Sequence, residues 1–222
     1  MRRESEETAK AASIQDSTIT LGVLTAIERD PAMTQRSAAS EVGVALGLVN
    51  AYLKRCIRKG WVKIQQVPRK RYAYYLTPRG FAEKARLTSE YLSFSLDFFR
   101  RARAQYDEAI GACAARGWNR VVIVGDTELA EIASLCCHDR DVVPVGILAQ
   151  GSQAQRFAGL PVFPAIEAMP EVDAAILALA RDPAAAAEAL AARLGPGRVL
   201  APAILRLPPS DRWTNVRDLA RP

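Results

Sequence analysis

Lys54, Arg55 and Arg58 stand within a single five-residue stretch, and if that stretch is helical they share a face with Gly47, Leu48 and Ala51, with Asn50 on its flank. Ammonium and guanidinium groups bind phosphate oxygens, an arginine fork also reads guanine, and the carboxamide of an asparagine suits adenine. Gly47 and Ala51 are small enough to let a helix backbone come close to base edges. A second basic group, Arg69, Lys70 and Arg71, follows Pro68 and would contact the nucleic-acid backbone or enter a minor groove. Gln35 and Arg36 open a short helical segment whose first amides could hold a further phosphate.

These residues lie in a one-sign field. Between Glu41 and Glu83 there are nine Lys/Arg (54, 55, 58, 59, 63, 69, 70, 71 and 79) and no carboxylate. Residues 1–120 carry 21 Lys+Arg against 12 Asp+Glu, whereas residues 121–222 carry 9 against 12, so the net charge of +6 is concentrated in the first half. A polyanion is the partner such a half implies. A charge run is most often a solvated face, and a domain of this kind can also bind protein. Here the acid-free surface coincides with the expected groove face, which favours double-stranded DNA.

The elements that must position these groups are readable. Residues 1–13 are polar, lack an apolar period and are expected to be a disordered tail. Ile19, Val23, Leu24 and Ile27 recur at helical spacing up to Asp30-Pro31. Thr34 caps a second helix that ends at Gly43, and a third is expected from Ala45 to Lys59. On it Leu46, Val49, Leu53, Cys56 and Ile57 form the packing face. The period then becomes alternating, with Val62 and Ile64 facing Tyr72, Tyr74 and Leu76 across the basic tip, which reads as a hairpin. The order is that of a winged helix-turn-helix over residues 14–88.

Thr77-Pro78 starts a long helix with an apolar stripe: Tyr91, Phe94, Phe98, Ala102, Tyr106, Ile110 and Cys113. The stripe either packs within its own chain or pairs with a second copy. Pairing is favoured, through Tyr91, Phe94, Phe98 and Ala102, because a palindromic site needs two recognition helices about one DNA turn apart. Residues 89–117 are thus a linking and dimerisation helix. From residue 118 to 222 strand and helix alternate (Val121–Val124, Glu128–Cys137, Val142–Leu148, Ala174–Leu179, Pro183–Leu194, Arg198–Leu200), as in a Rossmann-like parallel sheet. The fold expected is therefore two-domain α/β, mainly helical at the start.

Thr34-Gln-Arg-Ser-Ala-Ala-Ser-Glu-Val-Gly-Val, Lys59-Gly-Trp-Val-Lys63, Tyr75-Leu-Thr-Pro-Arg-Gly80 and Glu83-Lys-Ala-Arg-Leu-Thr88 resemble the exopolysaccharide-associated branch of MarR-like regulators. The resemblance spans about residues 18–95 and implies a bacterial, dimeric, DNA-binding transcription regulator. Leu48 stands where a basic residue is usual and Ala45 where a small hydroxyl is, so no base preference carries over. Val121-Val-Ile-Val-Gly125-Asp-Thr-Glu-Leu-Ala-Glu-Ile-Ala133, with Gly159-Leu-Pro-Val162, resembles the nucleotide-binding domain of sugar-nucleotide acetyltransferases.

That resemblance implies a nucleotide or nucleotide-sugar effector at Gly125, Asp126, Thr127, Glu128 and Gln150, the strand-end crevice. Against it, Gly125 stands alone where a dinucleotide fingerprint has three glycines, and Asp126 would cap the helix and repel a phosphate. NADH sensing is not expected; a different ligand and a domain that only supports assembly both stay open. No catalytic constellation is visible: His138 is the single histidine, and Cys136 and Cys137 read as reduced, buried thiols rather than a metal or redox pair. No segment has the length of a membrane span and no signal peptide is recognisable, so a cytoplasmic location is expected. A nucleotide-sugar enzyme with an accessory DNA-binding domain and an architectural or partner-recruiting protein are the competing readings.

Overall fold

In the computed structural model, which describes residues 2–68, 71–179 and 181–216, α1 (Arg2–Arg29) ends where the Asp30 amide donates to the Ala26 carbonyl and Pro31 has no amide to continue the ladder. The helix begins well before Thr18. Residues 2–13, expected as a frayed tail, are rich in Ala, Glu, Lys and Arg and lack Gly and Pro, so propensity carries the helix where apolar periodicity is silent. α2 (Gln35–Val42) starts with a reciprocal cap: the Ser37 amide donates to Thr34 Oγ1 at 3.0 Å and the Thr34 amide donates to Ser37 Oγ at 3.1 Å. Gly43, at φ +70°, stops it.

α3 (Leu46–Arg58) follows with Ala45 at its start giving no side-chain cap, and the hairpin β1 (Val62–Val67) and β2 (Arg71–Leu76) pairs Ile64 with Tyr74. Val23, Leu24 and Ile27 of α1, Ala38 of α2, Val49, Leu53 and Cys56 of α3 and Tyr74 of the hairpin form one core. Leu46, expected on the packing face, is instead exposed at the first position of α3. α4 (Pro78–Ala115) begins against β1, with the Thr77 amide donating to the Trp61 carbonyl at 3.0 Å and Thr77 Oγ1 accepting from Gly80 at 3.0 Å.

The chain divides into two units, Met1–Leu96 and Asp97–Pro222, and the boundary falls inside α4. The expected boundary after residue 117 is therefore late. Ala102, Tyr106, Ala109, Ile110 and Cys113, all fully buried, make the end of α4 a layer of the second unit's own core. This corrects the assignment of Ala102 to a dimer interface.

In that unit β3 (Arg120–Val124), α5 (Glu128–His138), β4 (Val143–Leu148), β5 (Arg156–Phe157), β6 (Leu160–Phe163), β7 (Ala174–Leu177), α6 (Pro183–Leu194), β8 (Val199–Ala201) and β9 (Thr214–Asn215) follow one another. Among the described residues they form a sheet of order β5-β6-β4-β3-β7-β8-β9, parallel except for the β5-β6 hairpin. Counted from β3 to β9 without β5, this is the doubly wound order 3-2-1-4-5-6. The end of α4 and α5 pack on one face and α6 on the other. β5 and β9, of two residues each, carry too short a period to be read from the sequence, and β6 is masked by Pro161 in its middle. Trp213 is buried over the α6 face and donates through Nε1 to the Pro208 carbonyl.

Tyr106 fastens α4 to the sheet by donating its hydroxyl to the Leu177 carbonyl at 3.0 Å inside the core. Burial raises the phenol above its ordinary range and keeps it neutral. Tyr106→Phe should cost about 1–3 kcal/mol by leaving that carbonyl unsatisfied, read as a lower denaturant midpoint for the second unit. An unchanged midpoint would mean that the contact contributes nothing.

Candidate nucleic-acid interface and strand-end pocket

α3 has two sides of opposite character. Val49, Leu53 and Cys56 are buried against α1 and α2. Gly47, Leu48, Ala51, Lys54 and Arg58 are exposed, with Asn50 half-buried at the flank. Lys54 and Arg58 enter no ion pair among the described residues, so their charges face solvent. Gln35 is half-buried and Arg36 exposed on the first turn of α2. Arg69 and Lys70 of the hairpin tip lie outside the described residues, as does the side chain expected of Arg71, whose backbone opens β2.

Arg55 departs from the expected role. Its Nη1 donates to Asp16 Oδ1 at 2.6 Å, Tyr52 donates its hydroxyl to the same oxygen at 2.8 Å, and the guanidinium lies 5.9 Å from the Tyr52 ring centroid. Residue spacing on α3 places Arg55 beside Lys54 but says nothing of Asp16, 39 residues earlier on α1. Partial burial alone would raise the Asp16 carboxyl, yet the hydrogen bonds from Tyr52 and Arg55 outweigh it and hold the group below its ordinary value.

In the second unit the carboxyl ends of β3 and β7 open onto a cleft of about 440 Å³ at the topological switch point. Gly125, Asp126, Thr127 and Gln150 line it; Glu128 does not, being exposed on the first turn of α5. Arg181, between β7 and α6, also lines the cleft and was missed, since no spacing in the sequence links it to the β3 turn. Asp126, expected to cap α5, instead accepts from Ser152 Oγ at 3.1 Å. Thr127 holds the cap position without a side-chain cap, its hydroxyl donating to the Ala178 carbonyl at 2.6 Å.

Residues 16–63 match the winged helix-turn-helix DNA-binding family. No curated protein matches the sequence. Among solved structures the chain is similar to a MarR-family transcription regulator (17% identity, TM-score 0.34, 44% of this chain and 79% of that one). It is similar to the PcaV transcriptional regulator from Streptomyces coelicolor at 19% identity and a TM-score of 0.29, over 50% of this chain and 98% of that one. Human N-acetylserotonin methyltransferase, solved with SAM, aligns over 80% of this chain and 70% of its own at 12% identity, with a TM-score of 0.31. At these levels the ligands and activities remain those proteins' own.

The matched segment contains α2, α3 and the start of β1, so Asn50, Lys54 and Arg58 stand inside the stretch that is similar to the winged helix-turn-helix DNA-binding family. Within it Arg55→Ala should act on stability. The pair is about one third exposed on each side, so the expected loss is modest, under about 1 kcal/mol. Because the Asp16 carboxyl is held low, its stabilisation is complete above the ordinary carboxylate value near 4 and is lost as pH falls through the folded-state value. Wild type and Arg55→Ala should thus differ in melting temperature at neutral pH and converge in acid, which a melting series would check.

The thiols are poorly suited to nucleophilic or redox chemistry. Burial pushes Cys56 up to about 11 and Cys113 and Cys137 to about 12, and raises Cys136 as well. Among the described residues no group of three or more His, Cys, Asp or Glu is placed to hold a metal, and no helix is long and apolar enough to cross a membrane.

Proposed function

We propose that the chain is a cytoplasmic transcription regulator that binds double-stranded DNA as a homodimer and answers to a small-molecule effector in the strand-end cleft. The carrying observation is the acid-free outer side of α3, where Lys54 and Arg58 face solvent opposite the packed Val49, Leu53 and Cys56, within the segment that matches the DNA-binding family. In this reading α3 lies in the major groove, Lys54 and Arg58 meet phosphates or guanine, and Asn50 reads adenine. Gln35 and Arg36 hold a flanking phosphate, and Arg69, Lys70 and Arg71 reach the neighbouring backbone.

The exposed aromatic side chains of Tyr91, Phe94 and Phe98 support pairing of two chains along α4. A twofold dimer would present two α3 helices to a palindromic operator. Selection of bound fragments from genomic DNA at physiological salt tests the reading. Enrichment of one palindromic site supports sequence-specific regulation; binding that dilutes equally over all fragments would point to an architectural role, and no binding would remove the DNA partner.

A further inference from the structure

The β3 turn is built against a phosphate. Gly125, at φ +114°, gives the turn its shape, but a Cβ there would stand 2.8 Å from the Leu179 Cβ and 3.0 Å from the Ala178 carbonyl oxygen, so its bare side is filled by the chain leaving β7. The adjacent hydroxyl, on Thr127, is spent on that same carbonyl. A carboxylate, Asp126, stands at the mouth, and Glu128 and Glu131 follow on the first turn of α5, so the helix start that would attract an anion is screened by negative charge.

The cleft nonetheless has the makings of a binding site. Val124, Leu148, Ile166, Leu179 and Leu190 give it an apolar floor. Asp126, which accepts from Ser152 Oγ, and Arg181 bring opposite charges to its lining without pairing with each other among the described residues. Arg181 is set by the turn into α6, where Asp182, at φ +45°, caps the helix by accepting from the Ala185 amide. Gln150 adds a carboxamide at the rim. Opposite charges that line one apolar cleft without pairing with each other are complementary to a molecule that carries both signs and an apolar body.

We propose, building on the effector reading of this cleft, that its ligand is a small zwitterion of the apolar amino-acid type. Its ammonium group is held by Asp126 and its carboxylate by Arg181, and a nucleoside phosphate is not the ligand. The cavity, about 440 Å³, is in the range of small-molecule sites and holds such a side chain.

Calorimetric titration of the full chain with leucine, phenylalanine and tryptophan, and separately with UDP, AMP and NAD, tests this. Saturable binding of at least one of the amino acids is expected, weakened about tenfold or more by Asp126→Asn and by Arg181→Met and unchanged by Glu131→Gln. Melting curves establish that each variant is folded. Binding of a nucleotide but none of the amino acids overturns the ligand class and leaves the sensing role standing. Binding of none of the six overturns both. Amino-acid binding indifferent to Asp126→Asn and Arg181→Met overturns the placement of the ligand.

Discussion

Gly80→Ala should unfold the first unit at temperatures where the wild type is intact. A Cβ at position 80 would lie 2.0 Å from the Trp61 carbonyl oxygen and 2.9 Å from its carbon. Both are backbone atoms, and that carbonyl is pinned by the Thr77 amide at 3.0 Å and contacted by Thr77 Oγ1 at 3.2 Å. Neither a rotamer change nor a shift of a flexible tip relieves the clash; α4 must move away from β1, opening the core between the hairpin and α1. A loss of about 3 kcal/mol, at the high end for single substitutions, is expected, or roughly 12–24 °C in the melting midpoint of a unit this size. The second unit's transition should not move. Gly47→Ala is the control: nothing lies within 4 Å of its added methyl, and on a helix alanine should stabilise by about 1 kcal/mol. Equal melting of Gly80→Ala and wild type would contradict the packing described.

Lys54→Ala/Arg58→Ala should abolish most DNA affinity without loosening the fold. Both side chains are exposed and outside every ion pair among the described residues, so their removal takes nothing from the core. If each neutralises a phosphate, the slope of log affinity against log salt should become shallower by about two, and binding at low salt should fall tenfold or more. The unchanged melting curve separates this variant from Arg55→Ala, whose effect runs through Asp16. An affinity equal to wild type at every salt concentration would remove α3 from the interface.

Local rules made most of the first unit legible. Thr34, Gly43, Asp30-Pro31 and the change of period after Gly60 each mark a boundary with a physical cause, and the structure places helix and strand ends within a residue or two of them. Long-range partners were not legible. Arg55 looked like a groove residue because helical spacing sees only its own face, whereas Asp16 comes to it through packing of α1 on α3. Arg181 joined the cleft in the same way, through the parallel sheet that brings the β3 and β7 ends together. The stripe on α4 was read as continuous because its spacing is; burial divides it, with Tyr91 to Phe98 exposed and Ala102 to Cys113 inside the sheet domain.

The most direct test of DNA recognition through α3 is cleavage from the helix itself. Cys56, Cys113, Cys136 and Cys137 are all buried, so Ala51→Cys provides an exposed thiol on the groove side to which an iron chelate can be tethered. On a duplex carrying the selected site, strand scission centred on the major groove of each half-site is the predicted result, with Glu131→Cys giving none there. Uniform or absent scission from position 51 while the protein remains bound would contradict the placement of α3 in the groove.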